Sequence, residues 1–337
     1  MKIAILSPVA WRTPPRKYGP WEQVASNIAE GMVEQGIDVT LFASGDSITS
    51  GKLVSVCEHA YAEDLNMDAK VAECLHISCL MEDADQFDLI HNNFDFLPLS
   101  YSRLIKTPIV TTIHGFSSPK IIPVYKKYNS TGYYVSISNS DRSPELNYTA
   151  TVYNGINSND FTFNCNPEDY LLFFGRIHPD KGVVESIEIA KKSKRKLIIS
   201  GIIQDQQYFE QKVKPYINDT DIVYVGNSGP DMRNKLLGGA CALLHPINFD
   251  EPFGLSVVEA MFCGTPVIAF NRGSMPEIIL DRKTGFLVHN IDEALEAIQH
   301  LELINRKDCR EWAKSKFSRE KMIENYLEVY QKILRLQ

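Results

Sequence analysis

The stretch YLLFFGRIHPDKGVVESIEIAKKSKRKLIISG, residues 170–201, sets two apolar runs on either side of a longer polar-faced segment. YLLFFG and KLIISG are apolar at successive positions and each ends on glycine, which is how strands buried on both faces of a parallel sheet read. GVVESIEIAKKS between them reads as a helix, so the stretch is a strand–helix–strand unit. The same alternation runs on toward the C-terminus through the strands IVYVG, CALLHP, PVIAF and GFLV. Helices are expected over QYFEQKVKPYI, DMRNKLLGGA, the segment opening at Gly254 and a segment after Pro276. Toward the N-terminus KIAILS, IDVTLFAS, FDLIHNN, PIVTTIHG, YYVSISNS and TATVYNGI form a second series. WEQVASNIAEGMVEQG joins its first two strands, with Val24, Ile28, Ala29, Met32 and Val33 on one face and Gly36 as the stop.

The bulk properties agree with two such units. A chain of 337 residues, 44% of them hydrophobic, suits two globular cores of roughly 150 residues each. The Asn-rich, least periodic stretch at 157–167 marks the boundary, giving domains 1–160 and 161–318. A helical tail over 319–337 is expected to pack back on the first domain. MKIAILSPVAW reads as a first strand and not as a leader, and no window approaches the ~18 apolar residues of a spanning helix. Seven scattered cysteines offer no CxxC pair, so a reducing, cytoplasmic setting is expected. A net charge of −7 speaks against nucleic acid as a partner.

Two sheets of this kind placed side by side leave a cleft at the carboxyl ends of their strands, where ligands of open α/β sheets bind. Three stretches carry chemistry there. NFDEPFGLSVVEAM, 248–261, sets Glu251 and Glu259 eight positions apart around a Pro-Phe-Gly turn that opens a helix. A helix start attracts anions, and acids beside a phosphate repel it unless each accepts hydrogen bonds from hydroxyls. A nucleotide sugar has hydroxyls on both sides of its diphosphate. Glu251 is therefore expected on the transferred sugar and Glu259 on the ribose. The N–H groups of Phe253, Gly254, Leu255 and Ser256 are expected on the diphosphate. FFGRIHPDKG, 173–182, presents Arg176 and Lys181 just past a strand, a planar fork and a point charge suited to a diphosphate that gains charge as it leaves. Such a pair can stand in for a metal, and none is expected. His114 follows the strand PIVTTIHG, with Gly115 permitting a turn.

Taken together, HG at 114–115, GR with Lys181, EPFGLSVVEAM running to CGTPVIAF, and GSMPEII with TGFLV resemble the retaining family 4 glycosyltransferases of the GT-B fold. PPRKYG, LFASGDS and SIS resemble one bacterial branch of that family. The resemblance spans nearly the whole chain. It implies two Rossmann-like, doubly wound domains facing across a cleft, with C-terminal helices, the first on the acceptor side and the second on the donor side. It implies retaining, metal-independent transfer of a hexosyl group from a UDP- or GDP-linked sugar to an acceptor hydroxyl, with no cofactor. Glu251, Glu259, Arg176 and Lys181 take the family's roles given above, and His114 lies near the sugar's C6 side and the reacting bond. One departure stands out. Where the family has Gly-Gly-x-Glu, this chain has YGPWEQ at 18–23, so Gly19 matches as a close backbone approach to the donor while Pro20 removes an N–H. Trp21 either shapes the acceptor pocket or packs between domains. The base is expected against backbone near Val225 and Gly226.

Other classes fit less well. The first strand-to-helix turn has one glycine where a dinucleotide site needs G-x-G-x-x-G, and no G-x-x-x-x-G-K-[ST] occurs. A nucleotide-sugar epimerase or a glycosidic phosphorylase of related architecture is the alternative enzyme, and a sugar-binding module the alternative binder. The acceptor is a glycan, a small molecule or a lipid-linked sugar. In the lipid case SPKIIPVYKKY, 118–128, offers Lys120, Lys126 and Lys127 with Ile121, Ile122, Val124 and Tyr125 for peripheral contact with an anionic bilayer.

Overall fold

The computed structural model describes residues 1–64, 66–116 and 118–336. It divides into two compact units, Met1–Gly155 with Arg319–Gln337, and Ile156–Ser318; of the tail, Gln337 lies outside the described residues. The first unit runs β1 (Lys2–Leu6), α1 (Pro20–Glu34), β2 (Asp38–Phe42), β3 (Lys52–Val54), α2 (Ala69–Glu82), β4 (Leu89–Asn92), β5 (Ile109–Ile113), α3 (Ile122–Lys127), β6 (Tyr133–Ser136) and β7 (Tyr148–Thr151). Its seven strands lie in the order β3-β2-β1-β4-β5-β6-β7, every pair parallel. KIAIL and its neighbours are buried on both faces, as all-parallel sheets require.

The second unit runs β8 (Tyr170–Phe174), α4 (Val183–Ser193), β9 (Lys196–Ser200), α5 (Gln206–Tyr208), β10 (Ile222–Tyr224), α6 (Pro230–Gly239), β11 (Ala242–His245), α7 (Leu255–Phe262), β12 (Val267–Phe270), α8 (Met275–Ile278), β13 (Gly285–Val288), α9 (Ile291–Gln299) and α10 (Arg306–Phe317). Its six parallel strands are ordered β10-β9-β8-β11-β12-β13. The order reverses between β1 and β4 in the first sheet and between β8 and β11 in the second. At such a point the connections leave to opposite sides and open a crevice at the carboxyl edge.

Residues 156–160 belong to the second unit, because Ile156 N–H donates to the Phe317 carbonyl at 2.8 Å and pairs with Ser318. The last helix, α11 (Arg319–Leu334), returns to the first unit. There His91 on β4 is hydrogen-bonded to the Tyr330 hydroxyl at 2.6 Å and to the Thr112 hydroxyl at 2.7 Å, and Thr112 to the Tyr326 hydroxyl at 2.7 Å. Burial drives the His91 pKa down to about 3, so the ring is neutral and this polar chain carries no charge into the core. Arg319 closes the helix start, one guanidinium nitrogen, Nη2, donating to both carboxylate oxygens of Glu34 at 2.6 and 2.8 Å.

Several expectations are corrected. β3 was not anticipated, being three residues at the sheet edge, nor was α2, where Val71 and Leu75 are exposed and blur the apolar stripe. QYFEQKVKPYI is no regular helix: α5 passes into a π-type turn over Phe209–Val213 and a tight turn at Lys214–Tyr216, where Pro215 has no N–H to continue. Tyr125, expected on a bilayer-facing surface, is buried, and its hydroxyl donates to Asp95 at 2.5 Å. Its ring packs with Leu99, Ile113 and Tyr134, and Ile121 and Val124 pack partly buried on the same cluster, so most of the apolar residues of 118–128 face inward. No helix among the described residues is long and apolar enough to cross a membrane.

Candidate active site

The second unit's switch point is built from the loops after β8 and β11. The β8 loop ends at Gly182, whose φ of 74° is left-handed and whose added Cβ would stand 1.9 Å from the Pro246 carbonyl oxygen. Only glycine lets the two loops close this far. They are joined further by the Asn248 N–H on the Asp180 carbonyl at 2.7 Å. The consequence is a buried ion pair: Lys181 Nζ donates to Glu251 Oε2 at 2.5 Å, with side chains 13% and 12% exposed. The ammonium also sits 4.6 Å from the centre of the Phe249 ring.

His245, the last residue of β11, approaches the same carboxylate oxygen at 3.6 Å, an electrostatic neighbour and not a hydrogen bond. Burial by itself acts to raise the Glu251 carboxyl, yet His245 and Lys181 together hold it at about 2. Glu251 is therefore ionised at any working pH. Its backbone is braced as well, since the Ser274 N–H donates to the Glu251 carbonyl at 2.9 Å and the Ser274 hydroxyl to the Phe253 carbonyl at 2.8 Å. That accounts for GSMPE, the motif downstream.

Gly254, left-handed at φ 89°, turns the chain into α7. Leu255 and Ser256 open that helix half-buried, and Phe253 lies inside with its ring edge-on to Phe317 at 5.8 Å. The first N–H groups of α7 have no partner within the helix, as at any helix start. Glu259 lies one turn on and is almost wholly buried, its Oε1 3.2 Å from Arg233 Nη1. Burial raises the Glu259 carboxyl, Arg233 opposes, and Asp160 adds to the rise. Arg233 stacks over the Phe161 ring at 5.2 Å, and its Nε is buried without a hydrogen-bond partner.

Arg176 is not brought to Lys181 by any direct contact; its guanidinium donates to the Gln204 side chain beyond β9. Val225 is exposed past β10, its N–H on the Ile199 carbonyl at 3.0 Å, and the Gly226 carbonyl accepts from Gly201 N–H and the Ser200 hydroxyl.

In the first unit, Gly19 precedes α1 with Pro20 at the first helical position. His114 is half-buried past β5, hydrogen-bonded through Nε2 to Asn93 Oδ1 at 3.0 Å, and stacked on Trp21 with ring centres 5.5 Å apart. Burial takes the His114 pKa down to about 3, so its imidazole is neutral. Glu22, in the first turn of α1, accepts from the Trp11 N–H at 3.1 Å, and burial raises its pKa to about 7 against those backbone bonds. His245, Arg233, Asn93 and Gln204 were missed from sequence. Only His245 carried a signal, a titratable residue closing a buried apolar strand.

Comparison with known proteins follows the same lines. The family model described as "Glycosyl transferases group 1" matches residues 159–333, more than half of the chain. An uncharacterized glycosyltransferase of Methanocaldococcus jannaschii is 25% identical over 336 residues, covering 86% of this chain and 85% of the relative. Among solved structures, sucrose-phosphate synthase from Thermosynechococcus elongatus matches with a TM-score of 0.80 at 18% identity over 100% of both chains. The Anabaena protein HepE in complex with UDP and glucose matches with a TM-score of 0.74 at 18% identity, over 98% of this chain and 99% of that one. At those identities the structures establish the fold, two Rossmann-like halves of the GT-B kind, and the family model establishes more. The chain belongs to the glycosyl transferases group 1 family and is a glycosyltransferase.

Proposed function

We propose that the protein is a retaining, metal-independent hexosyltransferase whose nucleoside diphosphate sugar donor is held by the second unit. The observation that carries this reading is the Lys181–Glu251 pair, set at the β8/β11 switch point beside the start of α7. One spot supplies a cation for phosphate, a carboxylate for sugar hydroxyls and free helix N–H groups. The donor is UDP- or GDP-linked, and the likeness to a protein bound to UDP and glucose supports the first of these.

In this mechanism Lys181 leaves Glu251 for the diphosphate as donor enters, and Glu251 accepts hydrogen bonds from the sugar hydroxyls. Glu259 takes the ribose. As the sugar–phosphate bond breaks, charge gathers on the leaving phosphate, where Lys181, Arg176 and the N–H groups of Leu255 and Ser256 stabilise it. The leaving phosphate oxygen takes the proton of the acceptor hydroxyl, whose oxygen bonds the anomeric carbon from the same face. No enzyme nucleophile is assigned. The first unit carries the acceptor.

The test is a thermal-shift panel of UDP, GDP and their hexose derivatives in excess EDTA. A ligand at 100 times its Kd adds about 2.7 kcal/mol of stability and should raise Tm visibly. Turnover should persist in EDTA, keep the donor's anomeric configuration, and release nucleoside diphosphate only when acceptor is present. Loss of turnover in EDTA with recovery on Mn²⁺ or Mg²⁺, or a panel that moves Tm nowhere, overturns the proposal. Donor conversion without acceptor would mark an epimerase.

A further inference from the structure

We propose that His245 is a positioning residue for Glu251, poised to take over its carboxylate when Lys181 turns to the diphosphate; this rests on the roles proposed above for Lys181 and Glu251. Three observations meet at one oxygen. Lys181 Nζ holds Glu251 Oε2 at 2.5 Å, and His245 Nε2 stands 3.6 Å from that same atom. The His245 side chain is 7% exposed, and its Nε2 is buried with no hydrogen-bond partner. An unpaired buried ring nitrogen is a standing cost in the unliganded protein, one that a second state with a partner removes. A shift of about 0.5 Å brings this nitrogen within bonding range of the carboxylate.

The backbone is arranged to hold the ring while the lysine moves. His245 closes β11, a strand paired on both sides, by β8 and β12. Pro246 follows and packs against Gly182. Lys181, in contrast, is a flexible stem on a loop. A diphosphate bears more charge than a carboxylate and draws the ammonium away, leaving Glu251 in a buried place that disfavours its ionised form. Only the ionised form has all its lone pairs available to two sugar hydroxyls. His245, which already helps hold Glu251 ionised, closes on it as its remaining partner when the sugar arrives. The other acids nearby are engaged or turned outward: Asp180 lies 3.3 Å from His178, Asp250 is exposed, and Glu185 on α4 accepts from Asn248 at 2.8 Å.

The experiment uses His245→Phe, which keeps an aromatic of similar shape without a donor, His245→Leu in case that variant misfolds, and His245→Gln, which restores an N–H. Calorimetric Kd values are measured for UDP and UDP-glucose, and for GDP and GDP-mannose, from pH 5.5 to 8.5. His245→Phe should leave the nucleoside diphosphate within about twofold and weaken its sugar derivative by about tenfold, the scale of one charged hydrogen bond. The deficit should grow as pH falls, because a Glu251 without His245 protonates at a higher pH, and His245→Gln should recover most of it. Adding His245→Phe to Glu251→Ala should change nothing further. If Glu251→Ala weakens the sugar derivative while His245→Phe does not, or if His245→Phe weakens both ligands alike, the positioning role is wrong. If Glu251→Ala itself leaves sugar binding unchanged, the role assigned to Glu251 falls, and this proposal with it.

Discussion

Replacing Arg233 by Met removes the cation paired with Glu259, whose guanidinium lies over Phe161, and keeps an unbranched apolar side chain in its place. Leaving a buried carboxylate alone costs about 3–5 kcal/mol, unless the group takes up a proton instead. That escape sets a ceiling. An ordinary carboxyl titrates at 4.5, so neutralising it at pH 7 costs at most about 3.4 kcal/mol, at ~1.36 kcal/mol per unit. The sign follows from proton counts. Burial has raised the native pKa above the unfolded one, so as pH rises from 4.5 toward that raised pKa the native state binds more proton than the unfolded chain, and stability falls across that window. Losing Arg233 widens that window. The added destabilisation should reach up to about 3 kcal/mol at pH 7 and shrink to under about 0.7 kcal/mol at pH 5. Trp312 reports on the second unit, its indole N–H donating to the Ile278 carbonyl at 2.7 Å. Urea unfolding followed by its fluorescence, with Trp11 and Trp21 replaced by Phe, measures the effect at both pH values. A difference that is equal at pH 5 and pH 7, or below about 1 kcal/mol at pH 7, would refute the claim that Arg233 opposes the burial-driven rise of the Glu259 carboxyl.

Further expectations concern neighbouring residues. Glu259→Ala should weaken a nucleoside diphosphate and its sugar equally, by about 1.5–3 kcal/mol, whereas Glu251→Ala should leave the sugar-free ligand nearly unchanged; equal losses of the sugar-free ligand in both variants contradict the division of roles. Gly182→Ala puts a Cβ 1.9 Å from the Pro246 oxygen in a left-handed conformation, and should destabilise by roughly 3 kcal/mol while separating Lys181 from Glu251; a Tm within a degree or two of wild type shows that the loops do not need to close. Vesicles rich in anionic lipid should not pellet the protein at physiological salt, because Tyr125 is buried and Lys126 is tied to Glu145 at 2.8 Å; pelleting abolished by changing Lys120, Lys126 and Lys127 would restore a lipid-facing role for 118–128.

What the sequence made legible is what short-range pattern carries. Buried runs such as KIAIL and YLLFF announced strands, and Pro-Phe-Gly announced the start of α7. KLV at the edge of the sheet is too short and too exposed to announce anything. The site divides in the same way. Glu251 and Lys181 stand out by type and position, but their pairing across 70 residues depends on β8 and β11 being neighbours, which strand order decides and local pattern does not. Arg233 is hidden for the same reason: on the surface of α6 it reads as a solvated charge, and only the packing of α6 beside α7 turns it onto Glu259.

The return of α11 to the first unit makes that unit discontinuous in the chain. During synthesis residues 1–155, His91 and Thr112 among them, emerge while their partners Tyr326 and Tyr330 are still unmade. The second unit is contiguous, so every residue it needs is available first, although it begins later. The first sheet therefore waits with an apolar face and His91 uncovered until the whole second unit has passed. For that interval the protein depends on whatever shields nascent chains, and a stop codon just before Arg319 should yield a folded second half joined to a first half prone to aggregate.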